Sequence, residues 1–247
     1  MIQFPGGDYT QGKRHTIDGL QAPFGVAVDA RNRVWVSSSY NNKLTVFPGD
    51  APDQAKTIEV NLGARGVAID STGHVWIAQQ SNSPEGALPP GGKMPPNIPA
   101  NAPQPKTIMQ EFEAGAEFYL YNPNLTQAGM VGLIAPDLTV VKQNIAKGTA
   151  YVPWGVTIDG NDNVWVGNLY GQSLIHICGI NPANCPEGKT TGDVIHNYQS
   201  GVIQITTDVI IDDAGNLWSA NNWFNGDVVI NPTYTGRTST FGGGQGF

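Results

Sequence analysis

Charge is scarce in this sequence, at 13% of 247 residues, and basic charge is the scarcer kind. Thirteen Lys and Arg stand against 20 Asp and Glu, a formal net charge of −7. A chain so poor in cations has little electrostatic hold on a phosphate backbone, which argues against nucleic acid as a partner. No apolar run approaches the ~20 residues that a spanning helix needs, so no membrane span is expected. Cysteine is limited to two residues, and with His176 the one histidine close to them in sequence they fall short of a zinc ligand set. What the chain does have is 31 Gly, 18 Pro and, among aromatics, 6 Trp, 8 Tyr and 8 Phe. That composition describes a turn-rich, all-β chain with enough large side chains to bury a core.

One frame recurs four times. Phe24-Gly25-Val26-Ala27-Val28-Asp29 leads to Val34-Trp35-Val36, and Arg65-Gly66-Val67-Ala68-Ile69-Asp70 to Val75-Trp76-Ile77. Trp154-Gly155-Val156-Thr157-Ile158-Asp159 leads to Val164-Trp165-Val166, and Thr207-Asp208-Val209-Ile210-Ile211-Asp212 to Leu217-Trp218-Ser219. In every copy Asp precedes Trp by six residues. The apolar, β-branched run predicts a strand buried on both faces. The Asp at its end can accept bonds from the following backbone N–H groups and start a turn. Three residues on stand Asn32, Gly73, Asp162 and Gly215, types that tolerate a left-handed backbone. Each copy therefore predicts a hairpin, with Trp35, Trp76, Trp165 or Trp218 on the return strand and buried against the neighbouring repeat.

Further strands are expected at Lys43–Phe47 and Lys56–Val60, so one repeat is a four-stranded unit of the length of a propeller blade. Such a unit cannot bury both faces alone, and neighbours stack around an axis. The expectation is an all-β propeller of four recognisable four-stranded antiparallel blades, with a degenerate fifth inside 80–150 an open option. The domain reading is one propeller over 1–247: outer strands in 1–22, blades at 23–62, 63–152 and 153–203, and a last blade at 204–247. Residues 1–22 read as two outer strands whose inner partners are missing. Either they complete the last blade, whose third and fourth strands are expected near Asp227–Ile230 and Thr238–Phe241, or the chain is a piece of a longer ring.

The four Gly-Val-x-x-Asp…Val-Trp frames resemble NHL-type repeats and, more broadly, the virginiamycin B lyase-like and SMP-30/gluconolactonase-like propellers. The likeness is closer to bacterial NHL-repeat proteins with a Cys-Gly…Cys-Pro loop, here Cys178-Gly179 and Cys185-Pro186, ahead of a frame like Thr207–Asp212. In such relatives the chain commonly continues, which favours the longer ring. Enzymes of these groups carry an acidic or amide metal ligand just before the frame's Gly, or a His and Glu pair with magnesium. The positions before Gly are Phe24, Arg65, Trp154 and Thr207, and His15, His74, His176 and His196 lie in none of the corresponding frames. The resemblance therefore transfers no catalytic residue and no metal ligand. The expected cofactor is none, a cation on the axis being without support.

In a propeller the loops entering the first strand and leaving the second gather at one rim. The residues there are the ligand-binding candidates: Phe24, Tyr40, Arg65, Gln79, Trp154, Asn168, Tyr170, Asp208, Asn222 and Trp223. Amides and rings together suit a neutral polar ligand such as a sugar or a peptide. The competing reading is that the amides end strands and the rings cap blades. Arg65 is open to two roles, a clamp on a carboxylate or phosphate and a structural pair with Asp208. Asp159-Gly160-Asn161-Asp162-Asn163 begins like a calcium loop but lacks its later Gly and acid, and reads as the frame's turn.

A Pro-rich insertion at about 80–118 leaves blade two from the same rim and is expected as extended loop. Lid, docking arm and decoration all remain open for it, and Glu117–Pro123 is expected to resume the blade as its third strand. Cys178 and Cys185 are seven apart in a turn-rich extension, and a disulfide between them would imply an oxidising compartment, periplasmic or extracellular. Met1 runs straight into strand-like sequence, and an export signal is expected, if there is one, in a part of the protein before it. Asn124-Leu125-Thr126 matches the glycosylation acceptor pattern. The functional expectation is an exported propeller that binds a small polar molecule, a glycan or a partner protein at the rim. The alternative is a lyase, or a hydrolase of lactones, esters or phosphotriesters, at the same place. Oligomerisation is expected if the ring is incomplete.

Overall fold

The computed structural model describes residues 1–39, 41–81, 129–169, 173–199, 203 and 205–222. A short antiparallel pair opens the chain, β1 (Ile2–Gln3) with β2 (Lys13–Arg14). Three four-stranded antiparallel sheets follow, each in simple sequential order. The first holds β3 (Pro23–Val28), β4 (Arg33–Ser38), β5 (Lys43–Pro48) and β6 (Lys56–Glu59). The second holds β7 (Leu62–Ile69), β8 (Val75–Ser81), β9 (Met130–Ile134) and β10 (Val140–Ile145). The third holds β11 (Pro153–Ile158), β12 (Val164–Asn168), β13 (Ser173–Ile177) and β14 (Val194–Gln199). A hairpin of β15 (Ile205–Ile211) and β16 (Leu217–Asn222) comes last. The innermost strands touch in succession, β3 with β7, β7 with β11 and β11 with β15. This is the arrangement of propeller blades.

The turn that begins each sheet is one hydrogen-bonded unit. The frame's Asp accepts from two backbone N–H groups through Oδ1: Arg31 and Arg33, Thr72 and His74, Asn161 and Asn163, or Ala214 and Asn216. Its Oδ2 accepts from the indole Nε1 six residues on, in Trp35, Trp76 and Trp165 at 3.0 Å and in Trp218 at 2.8 Å. Asn32, Gly73, Asp162 and Gly215 all have positive φ, as the turn demands. The carboxylate thus satisfies an indole donor and the turn with the same two oxygens, and in the first two sheets that indole is buried.

The glycine of the frame answers a different need. A Cβ on Gly66 or Gly155 would come within 2.6 Å of Trp154 O or Asp208 Cα, and on Gly25 it would run into Arg65 O. Each of these glycines lets the next inner strand approach backbone to backbone. Ser37 seals the first such contact, its Oγ accepting from Gly25 N at 2.8 Å and donating to Arg65 O at 2.5 Å. Between sheets lie the apolar clusters. Trp35, Leu44, Val46 and Ile58 meet Val75, Ile77 and Ile134. Trp76, Val131, Leu133 and Ile145 meet Val164, Val166, Ile175 and Ile177.

Three expectations are corrected. The strand beside β8 is Met130–Ile134, so Glu117–Pro123 does not hold the third place; residues 117–123 lie outside the described residues. Trp35 and Trp76 are fully buried and Trp165 partly so, but Trp218 is 51% exposed. Its predecessors are covered by the following sheet, and among the described residues no sheet follows β16. For the same reason the two-faced burial expected of the first strand fails at the ends, where Val26 and Val28 of β3 and Ile210 of β15 are exposed. The strands expected near 227–230 and 238–241 lie outside the described residues.

Candidate functional site

The site is built by a β-bulge repeated at one place. In β3, β7 and β11 two residues face one on the neighbouring strand: Phe24-Gly25, Arg65-Gly66 and Trp154-Gly155. In β15 the shift falls at Thr207. A bulge re-aims the side chain that it displaces, and here it turns three residues from three sheets toward one another. The Arg65 guanidinium carbon lies 4.9 Å from the Phe24 ring centroid and 4.5 Å from that of Trp154. The two rings meet edge to face, centroids 5.1 Å apart. Arg65 is only 5% exposed, whereas Phe24 keeps 47% of its surface open. The cation is held against both aromatic faces and serves as the floor of an aromatic corner whose accessible wall is Phe24.

Polar groups close the corner. Arg65 Nη1 donates to Ser39 Oγ, and Nη2 donates to Gln80 Oε1 at 3.4 Å. Gln80 is 1% exposed and its Nε2 has no hydrogen-bond partner. Ser39 and Gln80 both stand four residues after their repeat's tryptophan, a position shared by Leu169 and Asn222. Two of the three amides expected here, Gln79 and Asn168, point elsewhere. Gln79 Nε2 donates to Asn61 O at 3.2 Å, and Asn168 accepts from Tyr151 N and donates to Ser173 Oγ. Both sit three residues after Trp, on the opposite face of a strand with period two, and both are wholly buried. They hold strand ends. Counting parity from the tryptophan would have chosen Gln80 and Ser39 from the sequence.

Asp208 is exposed, its Oδ1 accepting from Val209 N at 2.9 Å. It takes the glycine's place where no described inner strand follows. Asn222 pairs with Ile205 in the backbone ladder, and Tyr40, Tyr170 and Trp223 lie outside the described residues. Asp159 is committed to its turn and to Trp165, and Asp162 accepts from Ser71 N and Oγ of the preceding sheet. The calcium-like run is thus occupied as a turn. Among the described residues no group of three or more His, Cys, Asp or Glu is placed to hold a metal ion. No described helix is long and apolar enough to cross a membrane.

A second aromatic cluster lies away from this corner. Trp165 stacks on His176 at 4.0 Å and on Tyr198 at 5.4 Å. A cavity of about 440 Å³ opens beside them, lined also by Leu174, His196, Ile203 and Leu217. Burial pushes His176 below the ordinary imidazole range, and Asp159 offsets this only in part. A disulfide joins Cys178 to Cys185, as expected.

No protein family's model matches the chain, and no curated protein matches it in sequence. Solved structures do match in fold. A virginiamycin B lyase from Staphylococcus aureus, catalytically inactive and with quinupristin, aligns with TM-score 0.50 and 15% identity, over 83% of this chain and 50% of that one. A gluconolactonase from Xanthomonas campestris aligns with TM-score 0.50 and 15% identity, over 83% and 58%. A nidogen/laminin complex aligns with TM-score 0.53 and 10% identity, over 87% and 62%. The chain spans about half the length of the lyase structures that it matches. At these identities the likeness is one of fold, and the fold is a β-propeller.

Proposed function

We propose that this β-propeller recognises a small neutral polar ligand, a sugar ring of a glycan being the favoured class, at the corner formed by Phe24, Arg65 and Trp154. The observation that supports it is the convergence of those three side chains from three successive sheets on repeated bulges, with one aromatic face left open. An aromatic wall offers stacking to the flat face of a pyranose, and the Gln80 amide offers a donor without a partner of its own. Arg65 braces the rings. The Cys178–Cys185 disulfide supports an oxidising compartment, periplasmic or extracellular, for this activity.

The test is a titration of the full chain with a panel of neutral oligosaccharides, followed by tryptophan fluorescence and calorimetry. Binding is expected, with Phe24→Ala weakening it about tenfold or more while the far-ultraviolet spectrum is kept. Saturable binding that Phe24→Ala leaves unchanged would move the site elsewhere. A lyase or hydrolase at the same corner is the second reading, favoured by the lyase and the gluconolactonase among the fold neighbours. Turnover of a lactone, ester or phosphotriester that Arg65→Ala abolishes without unfolding the chain would put it first.

A further inference from the structure

Gln80 is a buried amide that its sheet does not ask for. Three residues after the tryptophan each copy of the frame carries a polar side chain, Ser38, Gln79, Asn168 or Asn221. Gln79 and Asn168 bond into their own sheets from there. The next place holds Ser39, Gln80, Leu169 and Asn222. Leu169 fills it with an apolar side chain 1% exposed, so the architecture needs no polar group at this position. Gln80, equally buried, is fixed by its oxygen. Oε1 accepts from Arg65 Nη2 at 3.4 Å, and a Cβ on Gly63 of the adjoining strand would come within 3.2 Å of that oxygen. Nε2 is left with no hydrogen-bond partner, a destabilising state for a buried donor unless an acceptor is supplied. The Ser39 hydroxyl is placed in a similar way. Its oxygen accepts from Arg65 Nη1, and among the described residues it donates to no group. The side-chain oxygens of the corner thus face the guanidinium, and what Gln80 and Ser39 have left to offer is N–H and O–H protons.

We infer that the sugar taken by this corner is N-acetylated and is held by its acetamido group. The inference rests on the corner being a sugar site. The acetamido carbonyl accepts from Gln80 Nε2, with the Ser39 hydroxyl as a second donor, and the methyl lies against Phe24 and Trp154. One guanidinium places these parts together. Its carbon is 4.9 Å and 4.5 Å from the two ring centroids, and its Nη2 holds the Gln80 amide. Other common sugar substituents fit less well. A hydroxyl brings a proton that needs an acceptor, where the oxygens of Gln80 and Ser39 are already engaged. A carboxylate accepts but has no apolar part for the rings, and its charge is costly to bring out of water. An acetamido group sets an acceptor and a methyl on one carbon. Its trans amide turns its own N–H the opposite way from the carbonyl, clear of these donors.

The experiment compares three trisaccharides by calorimetry on the full chain: the N-acetylglucosamine trimer, cellotriose and trigalacturonate. The first two differ in each ring only by acetamido against hydroxyl at carbon 2. The parent is expected to bind the N-acetylglucosamine trimer about tenfold or more tightly than cellotriose. Gln80→Met keeps the volume and loses the amide. With circular dichroism as in the parent, it should bind the two neutral trimers within about twofold of each other, by a loss confined to the acetylated one. Equal affinity of the parent for the two neutral trimers overturns the acetamido and leaves the sugar corner standing. Tighter binding of trigalacturonate overturns it too, as does a preference that Gln80→Met keeps. If no sugar binds, the corner falls as a sugar site and this inference falls with it. The comparison on the parent needs no substitution, so it decides the matter even where Gln80→Met fails to fold.

Discussion

At the scale of the residue, the frame's aspartate does the most with the fewest atoms. Asp70 is 5% exposed and accepts from Thr72 N, His74 N and Trp76 Nε1. Asp70→Ala orphans a buried indole donor and opens the turn, and is expected to cost about 3 kcal/mol in urea unfolding; a loss below about 1 kcal/mol would refute this role. Asp212 makes the same bonds in the open, and the Trp218 indole and the Asn216 side chain and N–H hold its carboxyl at about 2, below the ordinary 3.8. A depressed carboxyl stabilises the fold above its unfolded value, and that contribution is lost as pH falls through the folded one. Carbon-detected NMR of Asp212 should titrate near 2, and a midpoint at the ordinary value would contradict the bond to Trp218. His176 has the opposite chemistry and the same direction. Burial lowers its affinity for a proton, with Asp159 partly opposing. Its contribution is intact above the unfolded value of 6.5 and fades as pH drops below it. The melting temperature should fall over that range in the parent and stay flatter in His176→Phe.

At the scale of the element, the frame's glycine and tryptophan are not equivalent from sheet to sheet. Gly25, Gly66 and Gly155 each face backbone at a distance no Cβ tolerates, so alanine at any of them should push neighbouring sheets apart and unfold the chain at a lower denaturant concentration. Asp208→Gly should leave stability nearly unchanged. Trp35→Ala or Trp76→Ala should cost about 3–5 kcal/mol through the cavity left between sheets. Trp218→Ala, at a half-exposed ring, should cost much less; equal costs would mean that β16 is covered as its counterparts are. The hairpins were legible in the sequence because a short apolar β-branched run, a turn-starting Asp, a left-handed turn residue and an aromatic recur together. The indole-to-carboxylate bond hides in that same spacing. Which strand follows β8 was not legible. Met130–Ile134 and Glu117–Pro123 are both strand-like, and pairing with Val75–Gln79 across a long excursion is decided by tertiary packing.

At the scale of the whole molecule, the propeller class could be read from the repeat, and the convergence of Phe24, Arg65 and Trp154 from their shared place in it. The choice of amides could not be read by composition, since Gln79 and Gln80 are neighbours of one type and only the facing of the strand separates them. The bulge carries this distinction. It lifts one residue per sheet toward the mouth, while the amides three places after Trp35's counterparts bind their own sheet. The candidate corner therefore holds few side chains, and the amides of Gln79 and Asn168 are spent on architecture.

The route between β8 and β9 has its own consequence. The two strands are bonded from Val75↔Ile134 to Gln79↔Met130, so the polypeptide departs after Ser81 and comes back at Gly129 through adjoining rungs of one ladder. Whatever is spliced into that excursion, or cut within it, leaves every described rung intact. A gene divided there should yield two polypeptides that reassemble without a linker through those rungs, and co-purification of the two halves would show it.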